Sequence, residues 1–209
     1  MIYAVIAAGG IGSRMGNMEK PKQYLKIKDK PIIVHTVEKF YVNGYFQKVI
    51  ILVPHQWVNY TKDIIAKYLP ENDKVLVLEG GSTRNETIMN SIKYIEENIE
   101  AALKYGATDT VVPATDTIVE SQDGKIISSI PDRSKLYQGQ TPQAFKAKTL
   151  KELYYSLTEE EKDILTDACK IFSMKGREVH LIEGEVHNIK ITYPYDLRVA
   201  KALLDEEIK

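Results

Sequence analysis

Residues 7–23 read AAGGIGSRMGNMEKPKQ and follow a short apolar segment, residues 1–6. The apolar segment predicts a buried strand, and open α/β sheets bind their ligands at the carboxyl ends of such strands. Glycines at this point leave backbone N–H groups free to surround an anion. Arg14 and Lys22 add a planar guanidinium and a mobile ammonium group, both of which bind phosphate. The stretch therefore predicts a polyphosphate-binding turn, whereas a lone glycine turn with surface cations would be the ordinary alternative.

Two familiar phosphate-binding loops do not fit this turn. The ATPase loop needs Lys-Ser or Lys-Thr after its last glycine, and neither follows Gly16. The dinucleotide fingerprint needs G-x-G-x-x-G and an acidic residue at the end of the next strand. Gly16 stands one position too far from Gly12, and the next strand ends in Leu-Val-Pro at residues 52–54. What remains is a G-x-G-x-R turn followed by Pro-Lys-Gln.

Composition limits the class of protein. With 209 residues, 44% of them hydrophobic and 27% charged, the chain can bury one full core, so residues 1–209 are interpreted as a single domain. The formal net charge of −1 gives no reason to expect a nucleic acid or an anionic membrane as partner. No apolar run approaches the roughly 20 residues of a membrane span, and Cys169 has no second cysteine to pair with. A cytoplasmic location is the expectation.

Strand and helix patterns alternate along the chain. Residues 48–53 (KVIILV) and 74–78 predict strands, and residues 56–68 between them predict a helix. This alternation predicts an α/β fold: a Rossmann-like open, mostly parallel sheet with helices on both faces. Residues 159–175 predict one continuous helix. Lys190 lies between two isoleucines, so its side chain points opposite to theirs if residues 189–192 form a strand.

A hairpin interrupts the alternation. Asp123-Gly124 is a turn signal between residues 117–121 and 125–130. The prediction is a β-arm that projects from the sheet and covers approximately residues 117–145.

Several short motifs follow one another in a recognisable order: the glycine turn with Pro-Lys-Gln, GG-x-x-R at residues 80–84, QTPQ at 140–143, TDA at 166–168 and NIKIT at 188–192. Together they resemble the pyrophosphorylase-like nucleotidyltransferases, and in particular the cytidylyltransferases that act on polyol phosphates. The resemblance implies transfer of CMP from CTP to a polyol phosphate with release of pyrophosphate, Mg²⁺ as cofactor, and a homodimer in which the β-arm clasps the partner.

The resemblance also implies a role for each matching residue. Catalysis is assigned to Arg14, Lys22 and Lys190; nucleotide binding to Ala8, Gly9, Gly10, Gly12, Gly81, Ser82 and Thr87; and acceptor binding to Thr117, Arg133, Thr141 and Thr166. No residue is assigned to the metal.

The sequence departs from the family at one place. Residues 83–105 carry an unbroken helical pattern where the family has a further strand ending in an Asp-Ala-x-Arg-Pro motif. The segment is thus absent near residues 95–98, either by deletion or because the sequence omits it. Loss of an inner strand would break the ladder of a parallel sheet, which favours omission, and an intact mass above 23.7 kDa would support it.

The most specific prediction concerns which polyol phosphate is the acceptor. GGSTRNETIMNSI, LTDACKI and NIKITYPYDL are more similar to the ribitol-5-phosphate cytidylyltransferases, which supply CDP-ribitol for teichoic-acid-type wall or capsule polymers. The first alternative is a 2-C-methyl-D-erythritol 4-phosphate cytidylyltransferase of isoprenoid synthesis. The second, if the deletion is real, is a nucleotide-binding dimer without catalysis.

Overall fold

A computed structural model of the protein describes residues 2–10, 13–16, 19–81 and 106–206. The strands are β1 (Tyr3–Ala7), β2 (Lys26–Ile27), β3 (Lys30–Pro31), β4 (Lys48–Val53), β5 (Val75–Glu79), β6 (Ala107–Pro113), β7 (Tyr137–Phe145) and β8 (His180–Glu183). The α-helices are α1 (Ile32–Tyr41), α2 (Val58–Tyr68), α3 (Ala147–Tyr155), α4 (Glu159–Asp163), α5 (Ala168–Met174) and α6 (Pro194–Glu206). Single turns of 3₁₀-helix lie at Ser13–Met15, Lys22–Tyr24, His55–Trp57 and Arg133–Lys135.

The first half of the chain forms a parallel sheet in the order β1-β4-β5. Its central strand β4 has five consecutive buried residues, as expected of a strand covered on both faces. Val49, Ile51 and Val53 pack in one cluster with the apolar sides of α1 and α2. Ile50 and Leu52 point to the other face, where Ala147 at the start of α3 packs against them.

The second half forms a mixed sheet in the order β7-β6-β8, with β6 antiparallel to β7 and parallel to β8. A register shift interrupts the β6–β7 ladder between Asp109 and Val111. Helices α3 and α5 contribute Leu150 and the fully buried Phe172 to a second core cluster. The predicted α/β fold with a mostly parallel sheet and helices on both faces is confirmed. Among the described residues, no helix combines the length and the apolar character that crossing a membrane requires.

The predicted single helix over residues 159–175 is wrong, because the structure has two helices there. Thr158 caps α4 with a complete capping box to Glu161, and Asp167 caps α5 by accepting a hydrogen bond from the Lys170 N–H. Two side chains that favour helix starts thus define separate helices, and the helical periodicity across residues 164–167 conceals the break.

The predicted hairpin forms only in part. The backbone N–H of Ala114 donates to the carbonyl of Leu136, so residues 115–135 leave the sheet between β6 and β7 and return to it. Within residues 115–135, which we call the excursion, the two predicted strands are reduced to a single β-bridge between Glu120 and Ser129. In the turn, the Asp123 carboxylate accepts hydrogen bonds from two backbone N–H groups. An isolated two-stranded hairpin is marginal without a surface to cover it. The predicted helical pattern at residues 83–105 and the missing segment near 95–98 lie outside the described residues.

Candidate active site

The carboxyl ends of β1, β4 and β5 lie at one edge of the parallel sheet. Just beyond them, the N–H of Ala8 donates to the carbonyl of Leu52, and the N–H of Gly80 donates to that of Val53, both at 2.8 Å. These bonds fix where β1 and β5 pass into the loops that follow them. The edge therefore carries Ala8, Gly9 and Gly10 on one loop and Gly81 on the other.

The glycine turn is held by the Pro-Lys-Gln motif. Buried Gln23 donates from Nε2 to the carbonyl of Ala8 at 2.7 Å. The next residue, Tyr24, is also buried and shares a 2.7 Å hydrogen bond with Thr61 of α2. The turn ends at Gly16, whose φ of +83° favours glycine. Residue 22, between the glycine turn and this buried anchor, consequently has a fixed backbone.

Lys22 projects from that anchor toward the end of the chain. Its Nζ donates to the carbonyl of Ile191 at 2.5 Å, across 169 positions of sequence. Burial, followed by the charges of Lys190 and Arg14, lowers the pKa of the Lys22 ammonium group, and Asp196 acts in the opposite direction. The bond to Ile191 thus brings Lys22 to the residue that follows Lys190, and the positive charges of Lys190 and Arg14 act on Lys22.

The segment before α6 contacts two of these cations, Lys22 through Ile191 and Arg14 through Tyr193. The Arg14 guanidinium lies over the ring of Tyr193, 5.9 Å from its centroid, a favourable cation–π arrangement. Asp196 accepts hydrogen bonds from the N–H groups of Thr192 and Tyr193 through Oδ2 at 2.6 and 2.7 Å. These two bonds, more than the charge of Lys22, lower the pKa of the Asp196 carboxyl. The Asp196 carboxylate at the start of α6 therefore acts on Lys22, one of the three cations Arg14, Lys22 and Lys190, which we call the cationic cluster.

Lys190 does not lie on a strand. Residues 184–192 form a loop between β8 and α6, and Lys190 is exposed on it. The strand considered for residues 189–192 does not form, and the loop bonds to β7 through side chains instead of a backbone ladder. Asn188 donates from Nδ2 to the carbonyl of Thr141 at 2.7 Å. This bond places Thr141, an assigned acceptor residue, beside the loop that carries Lys190.

The other assigned acceptor residues lie elsewhere. Arg133 donates from Nη1 to the carbonyl of Thr115 at 2.7 Å, and Thr117 is exposed on the same excursion. Thr166 is exposed in the turn between α4 and α5. No hydrogen bond between described residues joins Thr117, Arg133 or Thr166 to the cationic cluster. Within one chain the structure therefore brings Arg14 and Lys22 to the segment that follows Lys190, and it leaves Thr117, Arg133 and Thr166 without a hydrogen bond to them.

Three assigned nucleotide residues, Gly12, Ser82 and Thr87, lie outside the described residues.

Tyr193 and Asp196 are site residues that the sequence analysis does not assign. An acidic residue in the first turn of a predicted helix that begins with proline is a recognisable signal, and it could have located Asp196. The contact of Tyr193 with Arg14 joins residues 14 and 193, so local pattern could not find it.

Other reactive groups of the described chain do not form a second centre. Within residues 2–10, 13–16, 19–81 and 106–206, no three His, Cys, Asp or Glu side chains are grouped to hold a metal ion. Burial and the nearby Asp109 and Asp167 carboxylates raise the pKa of the Cys169 thiol to about 12. That thiol is not a nucleophile at neutral pH.

A sequence model of the 2-C-methyl-D-erythritol 4-phosphate cytidylyltransferase family matches residues 2–104 and 95–206. The chain belongs to this family. It is accordingly a cytidylyltransferase, a CTP-dependent nucleotidyltransferase, as the motifs predict. The two matches overlap at residues 95–104, a range that includes residues 95–98, where the sequence lacks the family motif.

Solved structures with the same fold carry related names. The chain is similar to 4-diphosphocytidyl-2C-methyl-D-erythritol synthase from Anaerococcus prevotii, with a TM-score of 0.77, 24% identity, and coverage of 97% of this chain and 95% of that one. The 2-C-methyl-D-erythritol 4-phosphate cytidylyltransferase of Francisella tularensis gives a TM-score of 0.77, 24% identity, and coverage of 96% and 98%. The 2-C-methyl-D-erythritol 4-phosphate cytidylyltransferase of Thermus thermophilus gives a TM-score of 0.69 and 24% identity, with coverage of 97% of this chain and 98% of that one. At this identity the likeness shows the fold.

Proposed function

We propose that the protein transfers CMP from CTP to a polyol monophosphate at the cationic cluster. The supporting observation is that Nζ of Lys22 reaches the carbonyl of Ile191, next to Lys190, and that Arg14 lies over Tyr193 in the same segment. The charges of Lys190 and Arg14 lower the pKa of Lys22, and Asp196 is the opposing charge that raises it. A structural cation is usually accompanied by acids, because clustered like charges destabilise the fold. A triphosphate supplies the negative charge that this arrangement lacks.

In-line transfer needs positioning and charge neutralisation more than covalent chemistry. An oxygen of the acceptor phosphate attacks the α-phosphorus of CTP; the new O–P bond forms as the bond to the β-phosphate oxygen breaks, and pyrophosphate leaves with the electron pair. Arg14 and Lys22 hold the triphosphate. Lys190 neutralises the charge that develops on the α-phosphate.

2-C-methyl-D-erythritol 4-phosphate is the first acceptor to consider. The family match and the names of the similar structures favour it over ribitol 5-phosphate. Ribitol 5-phosphate is the second candidate, supported by the sequence of segments such as LTDACKI and NIKITYPYDL. Both are short polyol monophosphates, so the same cations would serve either.

The acceptor site would be completed by a second copy of the chain. Thr117 and Arg133 lie on the excursion between β6 and β7, away from the cationic cluster. That excursion exposes apolar side chains, among them Ile118, Val119, Ile126, Ile127 and Ile130. Exposed apolar side chains of this kind mark an interaction surface, and a homodimer would bury them while bringing Thr117 and Arg133 to the partner's Lys190 loop.

Mg²⁺ would enter as the partner of CTP. Mg²⁺ is commonly bound through substrate phosphates and one or two carboxylates. The described residues provide no group of three metal ligands, and Asp196 is already engaged by two backbone N–H groups. The protein would therefore take up CTP as its magnesium complex.

The test is pyrophosphate release from CTP and Mg²⁺, with the two polyol phosphates offered in separate reactions. Release with 2-C-methyl-D-erythritol 4-phosphate alone supports the first acceptor, and release with ribitol 5-phosphate alone supports the second. Calorimetric titration with CTP accompanies both reactions. Tight CTP binding with no release from either acceptor would contradict the proposal and favour the nucleotide-binding dimer.

A further inference from the structure

The loop that carries Lys190 is fastened to β7 by two amide side chains. Gln140 of β7 donates from Nε2 to the carbonyls of Glu185 and Asn188, at 2.8 and 3.4 Å. In return, Asn188 donates from Nδ2 to the carbonyl of Thr141 at 2.7 Å. The strand and the loop thus hold each other by reciprocal side-chain to backbone bonds.

The fit of Gln140 under the loop leaves no spare room. A Cβ at Gly184 would lie 2.2 Å from Oε1 of Gln140, 2.9 Å from Cγ2 of Thr110 and 3.2 Å from the carbonyl oxygen of Val111. A side chain at residue 184 would therefore displace the amide of Gln140, and glycine there lets the loop lie this close to β6 and β7.

The same amide carries an unsatisfied atom. Oε1 of Gln140 is buried and has no hydrogen-bond partner among the described residues. A buried amide oxygen without a partner lowers stability, and such atoms in native proteins call for an explanation. The amide of Gln140 is therefore held by its donor side, which bonds to the loop.

The position of the loop links these bonds to Lys190. Asn188, held by Gln140, stands two residues before Lys190, and Ile191, held by Nζ of Lys22, stands one residue after it. The backbone of Lys190 is fixed on both sides although its side chain is exposed. We propose that Gln140 is a positioning residue, which sets the place of Lys190 relative to Thr141 on β7. This inference rests on the proposed function.

Gln140→Met tests the proposal, because methionine keeps the length of the side chain but cannot donate. Misplacement of a reacting group by about 1 Å can cost about 10²-fold in rate, so we expect kcat to fall by about 10- to 100-fold while KM for CTP changes little. Removal of the unsatisfied oxygen offsets the lost bonds, so Tm is expected to change by less than about 3 °C. Gln138→Met, at an exposed position of the same strand, is the matched control and keeps kcat.

A double-mutant cycle with Lys190→Ala separates positioning from a general structural role. If Gln140 acts through Lys190, Gln140→Met causes no further loss of kcat in the Lys190→Ala background. Losses that multiply, or a kcat of Gln140→Met equal to that of the wild type, would overturn the proposal. So would a fall in Tm with kcat preserved.

Amide hydrogen exchange gives a readout that does not depend on activity. The amides of residues 185–190 should exchange faster in Gln140→Met than in the wild type, and at the wild-type rate in Gln138→Met. Unchanged exchange in both variants contradicts the positioning role. If the wild type releases no pyrophosphate with either acceptor, the proposed function fails, and the exchange experiment still decides whether Gln140 holds the loop.

Discussion

Replacing Lys22 by methionine should separate activity from stability. Methionine keeps most of the length of the lysine side chain and removes the charge and the hydrogen bond to the Ile191 carbonyl. Loss of one preorganised group that faces developing charge costs about 10²- to 10³-fold in turnover. Loss of the hydrogen bond costs about 1 kcal/mol of folding free energy. Relief of repulsion among partly exposed cations returns about 0–1 kcal/mol, so the free energy of unfolding should change little.

The assay is steady-state pyrophosphate release, with urea denaturation of the same samples. Lys20→Met is the matched control, since Lys20 lies nearby in the same segment but donates to the hydroxyl of Tyr60. We expect turnover to fall in Lys22→Met and to persist in Lys20→Met, with similar unfolding midpoints. Turnover of Lys22→Met within about 3-fold of wild type would refute the role of this cation.

Three further outcomes are expected. The Asp196 carboxylate raises the pKa of Lys22, so Asp196→Asn should lower that pKa and move the basic limb of the kcat/KM pH profile to lower pH. A basic limb that moves to higher pH or stays in place would count against the electrostatic contact. Tyr24→Phe removes the buried hydrogen bond to Thr61 and should cost about 1 kcal/mol in urea denaturation, and no loss would show that the bond adds nothing. Cys169, with a thiol pKa of about 12, should react with a disulfide reagent at pH 8 only after unfolding, and rapid labelling of the native protein would contradict its burial.

Local pattern in the sequence predicts most of the first half of the fold. The strand predicted at residues 48–53 is β4 with the same bounds, because a continuous apolar run is what a strand buried on both faces requires. Residues 137–145 fall within the predicted β-arm, whereas in the structure they are β7 and pair with β6. The glycine and proline in QGQTPQ are poor indicators of a strand of the sheet. The ladder of β7 with β6 is supplied by tertiary structure.

The candidate site shows the same division. Arg14 and Lys22 could be assigned from one glycine turn, because the residues that make a phosphate site there are close in sequence. Gln140 and Tyr193 could not, because each acts on a residue tens to hundreds of positions away. The roles of the acceptor residues and of the dimer stay predictions.

The bond between Lys22 and Ile191 has a consequence for how the protein folds. It spans 169 residues, and the nearby bond from Lys28 to the carbonyl of Leu204 spans 176. Contacts between distant residues carry a loop-closure cost and form slowly. As synthesis proceeds from the amino terminus, the glycine turn emerges well before the segment that orients its cations. A nascent chain therefore has no assembled cationic cluster until that later segment docks.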